Sequence, residues 1–97
     1  IRDRIHYSPG IPIRLNAVKI KKDEAFILIK KKKENNKNYF YLSKTNNLME
    51  SVKNLYKTLR KIKKLGYKKI AVQRIPNRNF GLVINDRLLR ASKKWKI

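Results

Sequence analysis

The chain has 97 residues, 27 of them Lys or Arg against 6 Asp or Glu, which gives a formal charge of +21. That length holds one domain, and 41% apolar with 9% aromatic residues is enough for a single core. The absence of cysteine excludes disulfides, thiolate nucleophiles and sulfur-ligated metals, a lone histidine (His6) excludes a His-rich metal site, and no apolar run reaches the ~18–20 residues of a membrane span.

In chain order, residues 1–10 are expected to form an irregular arm, because Ser8-Pro9-Gly10 is turn chemistry: proline fixes one φ and glycine permits a positive one. Residues 11–97 make up the domain proper. Ile11, Ile13, Leu15 and Ala17 alternate with Pro12, Arg14 and Asn16, the period of a half-buried strand, and Pro12 suits an edge strand or a strand's first residue. Asp23-Glu24 read as an exposed turn. Ala25-Phe26-Ile27-Leu28-Ile29 follow as a continuous apolar run, the pattern of a strand covered on both faces. The basic, Asn-rich tract 30–38 has no apolar residue and is expected as a mobile loop or hairpin tip. It leads to a third short strand at Tyr39-Phe40-Tyr41-Leu42.

The spacing of Leu48, Val52, Leu55, Leu59 and Ile62 predicts a helix over about 48–65 with one apolar stripe. Asn47 is its expected N-cap, Glu50 the capping-box partner and Gly66 the C′ glycine. The far face carries Lys53, Lys57, Arg60, Lys61 and Lys64. Lys69-Ile70-Ala71-Val72 reads as a fourth strand that ends before Pro76. A second helix over about 80–95 puts Phe80, Ile84, Leu88, Ala91 and Trp95 on one stripe, with Asn77 or Asn79 as its cap. Asp86 and Arg90 are spaced to pair on its surface. A helix between two strands implies a crossover, so the expected class is α/β: a roughly four-stranded, partly parallel sheet with two main helices.

Catalytic chemistry is poorly supplied. Gly10, Gly66 and Gly81 are too far apart for a dinucleotide fingerprint or a phosphate-binding loop. The acids are scattered, and no strand–turn–helix context supports a serine nucleophile. The chain is therefore not expected to be an enzyme by itself. Its charge has two readings. Lysine and arginine neutralise phosphates and release counterions, so the 53/57/60/61/64 face and the 30–38 tract would suit an autonomous RNA-binding module. The abundance of Lys, Asn and Ile is equally what an A/T-rich gene produces. Lysines outnumber arginines by 19 to 8, and planar phosphate or base recognition favours arginine. In the arm, His6 and Tyr7 are flat, polar-edged groups suited to stacking or hydrogen bonding.

Three stretches carry a family resemblance: His6-Tyr7-Ser8-Pro9; Asn54-Leu55-Tyr56-Lys57-Thr58-Leu59-Arg60; and Ile70-Ala71-Val72 through Ile75-Pro76 to Gly81-Leu82-Val83-Ile84-Asn85-Asp86-Arg87-Leu88-Leu89-Arg90-Ala91. The chain resembles the C-terminal domain of the two-domain threonylcarbamoyl-AMP synthases, whose other half is a YrdC-type catalytic domain. Ile5, Ser8 and Val83 depart from the family's usual residues. The resemblance implies a Rossmann-like accessory domain that closes over a nucleotide pocket supplied by the catalytic domain, on the same or a separate chain. It implies that the parent enzyme makes threonylcarbamoyl-adenylate from threonine, bicarbonate and ATP for tRNA threonylcarbamoyladenosine. ATP and Mg then belong to the parent, with no cofactor held by this chain, and tRNA is a further candidate partner. Tyr7, with His6 beside it, would reach the nucleotide from the linker. Asn85, Asp86, Arg87 and Arg90 are candidates for the domain interface or for local structure. With no targeting segment visible, the expected location is cytoplasmic. A start at Ile1 instead of Met reads as an excised domain or a processed chain.

Overall fold

The computed structural model describes residues 11–29, 32–45 and 47–94, the side chains of 92–94 excepted. The arm at 1–10, with His6 and Tyr7, lies outside the described residues, as does Trp95. Six elements occur in the expected order: β1 (Ile13–Ala17), β2 (Glu24–Leu28), β3 (Tyr39–Tyr41), α1 (Leu48–Lys64), β4 (Lys69–Gln73) and α2 (Phe80–Lys94). The strands form one sheet in the order β1-β4-β2-β3, and every pairing is parallel. This is a small Rossmann-like α/β domain.

Parallel pairing has two consequences. All four strands begin at one edge of the sheet and end at the other. The hairpin considered for tract 30–38 cannot form either, because β3 runs beside β2 in the same direction, Phe26 opposite Tyr39 and Leu28 opposite Tyr41. The tract returns the chain from the end of β2 to the start of β3, and its described residues, 32–38, contain no helix. Strands of five and three residues leave a short distance to retrace.

Both helices lie on one face of the sheet. There Ala25, Ile27, Ile70 and Val72 are buried against Leu55, Leu59 and Ile62 of α1 and Ile84 and Leu88 of α2. Each large side chain so removed from water contributes about 1.5–3 kcal/mol before entropy is counted. The stripe expected on α1 is in place, with Leu48 and Val52 half-buried at its start, whereas Phe80 at the start of α2 is exposed. The opposite face carries Phe26, Leu28 and Ala71, flanked by Tyr39, Tyr41 and Ile20. Loops cover it. The Lys32 ammonium sits 5.7 Å from the Phe26 ring centre and donates to the Val18 carbonyl at 3.3 Å, while the Lys32 backbone N–H donates to the Tyr41 hydroxyl at 2.9 Å. With helices on one side and loops on the other, β2 is buried along its whole length, hence its unbroken apolar run.

Several local devices hold this arrangement. In β1 the pairing register with β4 shifts between Arg14 and Ala17, and Asn16 takes a left-handed φ of 55° there. This bulge turns Ala17 to the loop-covered face, although strict alternation would put it with Ile13 and Leu15. Gly66, with φ 92°, ends α1 in the expected way. Gly81 has another reason to be glycine: a Cβ there would stand 1.9 Å from the Pro76 carbonyl oxygen. At the start of α2, Asn79 is left-handed at φ 52° instead of extended, and its backbone carbonyl accepts from the Leu82 N–H at 3.1 Å. The helix thus opens from a backbone turn.

Candidate functional site

In an open parallel sheet, ligands and partners are met outside the carboxyl ends of the strands, where successive connections leave in opposite directions. Here that point lies between β2 and β4. From β2 the chain passes to β3 on one side, and from β4 it passes to α2, which packs against β1 on the other. A cleft of about 580 Å³ opens at this place, lined by Ala17 and Val18 at the end of β1, Ile29 after β2, Gln73, Arg74 and Pro76 around the end of β4, Lys32, and Leu48 at the start of α1. A neighbouring hollow of about 510 Å³ shares Gln73 and Arg74 and runs under α2 past Asn77, Asn85 and Leu89.

The cleft is apolar with two cationic residues at its wall. Gln73 is engaged across its floor, its Oε1 accepting from the Ile29 N–H at 3.0 Å. The described lining includes no carboxylate, histidine or hydroxyl, and the described residues contain no group of three His, Asp or Glu placed to hold a metal. A magnesium ion is usually held through carboxylate oxygens, and none is among the described lining of this cleft. By its described lining, the cleft is suited to holding or docking a group. Sequence reasoning missed it, because its walls come from four separate segments that only the strand order brings together.

The residues singled out from the sequence fall into three places. Lys53, Lys57, Arg60, Lys61 and Lys64 are all exposed on α1. The Asn85–Arg90 group is tied into the domain's own structure. Asn85 donates to the Ile75 carbonyl at 3.0 Å and reaches Asn77 at 3.4 Å. Arg87 lies 5.7 Å over the Tyr56 ring, joining α2 to α1. Asp86 pairs with Arg90 at 3.3 Å, both side chains about half exposed. Asn54 mirrors Asn85, donating to the Leu42 carbonyl at 2.8 Å. Each helix thus uses one asparagine to hold the carbonyl just past a strand's end, a backbone group that would otherwise need water. His6 and Tyr7 lie outside the described residues.

One charged group was misplaced by the sequence. Glu24, expected in an exposed turn with Asp23, is the buried first residue of β2. Arg14 of β1 donates to it twice, at 2.8 and 3.2 Å, and the Lys21 N–H donates at 2.8 Å. The Arg14 hydrogen bonds hold the Glu24 carboxyl below its ordinary value, against the opposing effect of burial. The pair pins the β1–β2 connection to the sheet.

No helix among the described residues is long and apolar enough to cross a membrane. No curated protein and no solved structure gives a significant match to the chain. Comparison with protein families does: residues 3–93 match the threonylcarbamoyl-AMP synthase C-terminal domain, from the arm through almost all of α2. The chain belongs to the family of threonylcarbamoyl-AMP synthase C-terminal domains.

Proposed function

We propose that this domain serves a threonylcarbamoyl-AMP synthase by closing over a nucleotide pocket supplied by a YrdC-type catalytic domain. The observation that carries this reading is the extent of the family match, which includes both the arm and the domain. The arm's sequence leads directly into Ile11 and Pro12, and the Pro12 carbonyl accepts from the Ile70 N–H at 3.0 Å beside the first residue of β4. The folded domain therefore has a fixed anchor point for the arm. In the parent reaction, threonine, bicarbonate and ATP give threonylcarbamoyl-adenylate, pyrophosphate and water. In this reading Tyr7 offers a phenol that can donate to or accept from the nucleotide, with His6 next to it. The domain's own part is positioning and exclusion of water, in keeping with a largely apolar cleft whose described lining includes no carboxylate or histidine.

Pyrophosphate release measured with the catalytic domain, in the presence and absence of this chain, tests the proposal. The chain alone releases none, the pair is faster than the catalytic domain alone, and Tyr7→Ala removes roughly 1–2 orders of magnitude of that stimulation, the scale of one positioning interaction. Robust release by the 97 residues alone, or an indifferent Tyr7→Ala, would sink it. The alternative of an autonomous RNA-binding module draws on the exposed α1 lysines. It requires tight RNA binding with no catalytic half and no loss of synthase activity when α1 is neutralised.

A further inference from the structure

The parallel sheet makes a surface that is scattered in the sequence. Because all strands start at one edge, the turns leading into β4, β2 and β3 stand side by side. Each brings lysines: Lys68 and Lys69 at β4, Lys21 and Lys22 before β2, and Lys37 before β3, all exposed. Lys64, the last residue of α1, is also exposed, and only a short loop separates it from β4. With neighbouring strands ~4.8 Å apart, the three strand starts span only about 10 Å.

These lysines are carried on pinned backbone. The turn at 21–24 is closed by the Glu24 N–H donating to the Lys21 carbonyl at 3.2 Å, and by the buried Glu24 carboxylate accepting from the Lys21 N–H. The turn at 36–38 is held by the Asn38 N–H on the Asn36 side chain at 2.8 Å. The loop before β4 is fastened to β3 by Tyr67, whose ring meets Phe40 edge-on at 5.6 Å and whose hydroxyl donates to Asn38. Two carboxylates stand nearby: Asp23, exposed in the same turn as the lysines, and Glu34, which accepts from the Tyr39 hydroxyl at 3.3 Å. They leave the edge strongly positive. An ammonium is a compact point charge without the fork that reads a base edge, so such a rim suits phosphates and not sequence.

We infer that this amino-terminal rim of the sheet is a contact surface for the phosphodiester backbone of RNA. The choice of RNA over other polyphosphates rests on the family's place in tRNA modification; the location of the surface does not. The rim lies on the edge where β1 also begins, opposite the cleft, so RNA would meet the domain on the side at which the arm joins it.

The test compares two variants of the full chain with equal loss of charge. One carries Lys21→Gln, Lys22→Gln, Lys68→Gln and Lys69→Gln. The other carries Lys19→Gln, Lys33→Gln, Lys44→Gln and Arg78→Gln, exposed residues outside both the rim turns and the cleft. Affinity for two RNA hairpins of unrelated sequence is measured as a function of salt, and melting curves confirm that both variants fold. The rim variant binds both hairpins roughly tenfold or more weakly at low salt, and its log K against log[salt] slope flattens by about 0.9 for each phosphate that is no longer neutralised. The control keeps nearly the parent affinity and slope. Equal weakening in the two variants would mean that net charge alone attracts RNA and would overturn the proposal, as would weakening confined to one hairpin. Pyrophosphate release does not enter this readout, so failure of the rim and failure of the synthase reading are separable.

Discussion

At the residue scale, Glu24 decides most. A carboxylate next to Asp23 and after two lysines looks like a solvated turn in the sequence, because its partner Arg14 is ten positions back and on another strand. Only the order β1-β4-β2 places the two across one intervening strand, close enough to bond over the loop-covered face. Their pairing has a pH signature. The folded-state pKa of Glu24 lies below the ordinary 4.5, chiefly through Arg14. The unfolded chain therefore binds the proton first as pH falls. The stabilisation is complete above the unfolded value and is lost as pH drops through the folded one. Glu24→Gln should lower the melting temperature by roughly 4–8 °C at pH 7, the equivalent of about 1 kcal/mol in a domain of this size, and the gap should narrow as pH falls below the ordinary glutamate range. General acid effects act on both proteins and cancel in the difference. A gap as wide at pH 3 as at pH 7 would show that shape, and not the ion pair, is what Glu24 supplies.

At the scale of elements, the two helices and four strands were legible, since period 3.6 and period 2 are local properties of the chain. Direction was legible only in part: the helix between two strands implied some parallel pairing, but the same short apolar runs suit parallel and antiparallel neighbours, so neither the all-parallel order nor the cleft that follows from it could be read. Helix caps lie between these cases. Asn47 caps α1 as expected, its side chain accepting from the Glu50 N–H at 3.0 Å. The return half of the capping box is relayed. The Asn47 N–H donates to the Ser43 hydroxyl at 2.9 Å, and that hydroxyl donates in turn to Glu50. A serine four residues before the cap has no pattern that marks it, yet Ser43 is buried and also accepts from the Thr45 N–H at 3.2 Å. Ser43→Ala should cost about 1–2 kcal/mol in urea unfolding, as removal of a cap does. With Glu50→Gln it should be non-additive, because both changes break one chain of hydrogen bonds. Simple additivity would show that Ser43 and Glu50 act separately.

At the scale of the molecule, charge and fold oppose each other. The radius of gyration is 12.5 Å, while the Debye length is ~30 Å at 0.01 M salt and ~8 Å at 0.15 M. In dilute salt every cation therefore feels the rest of the +21 chain, and at physiological salt it feels only its neighbours. Salt screens attraction and repulsion alike, but 27 cations against 6 acids make repulsive pairs far more numerous. Exposed pairs such as Asp86–Arg90 contribute little in either condition. The melting temperature should therefore rise with salt, by roughly 5 °C between ~0.01 and ~0.2 M sodium chloride, a shift worth about 1 kcal/mol. The rise should be unevenly distributed. If crowding of lysines at the starts of β2, β3 and β4 is the costliest part of the charge, then the four-lysine rim variant should melt higher than its parent in dilute salt. Its salt dependence should also be flatter than that of the control with the same net charge. Identical salt curves for the two variants would mean that the lysines act as a diffuse cloud, and that the fold gathers no charge at its amino-terminal edge beyond what composition supplies.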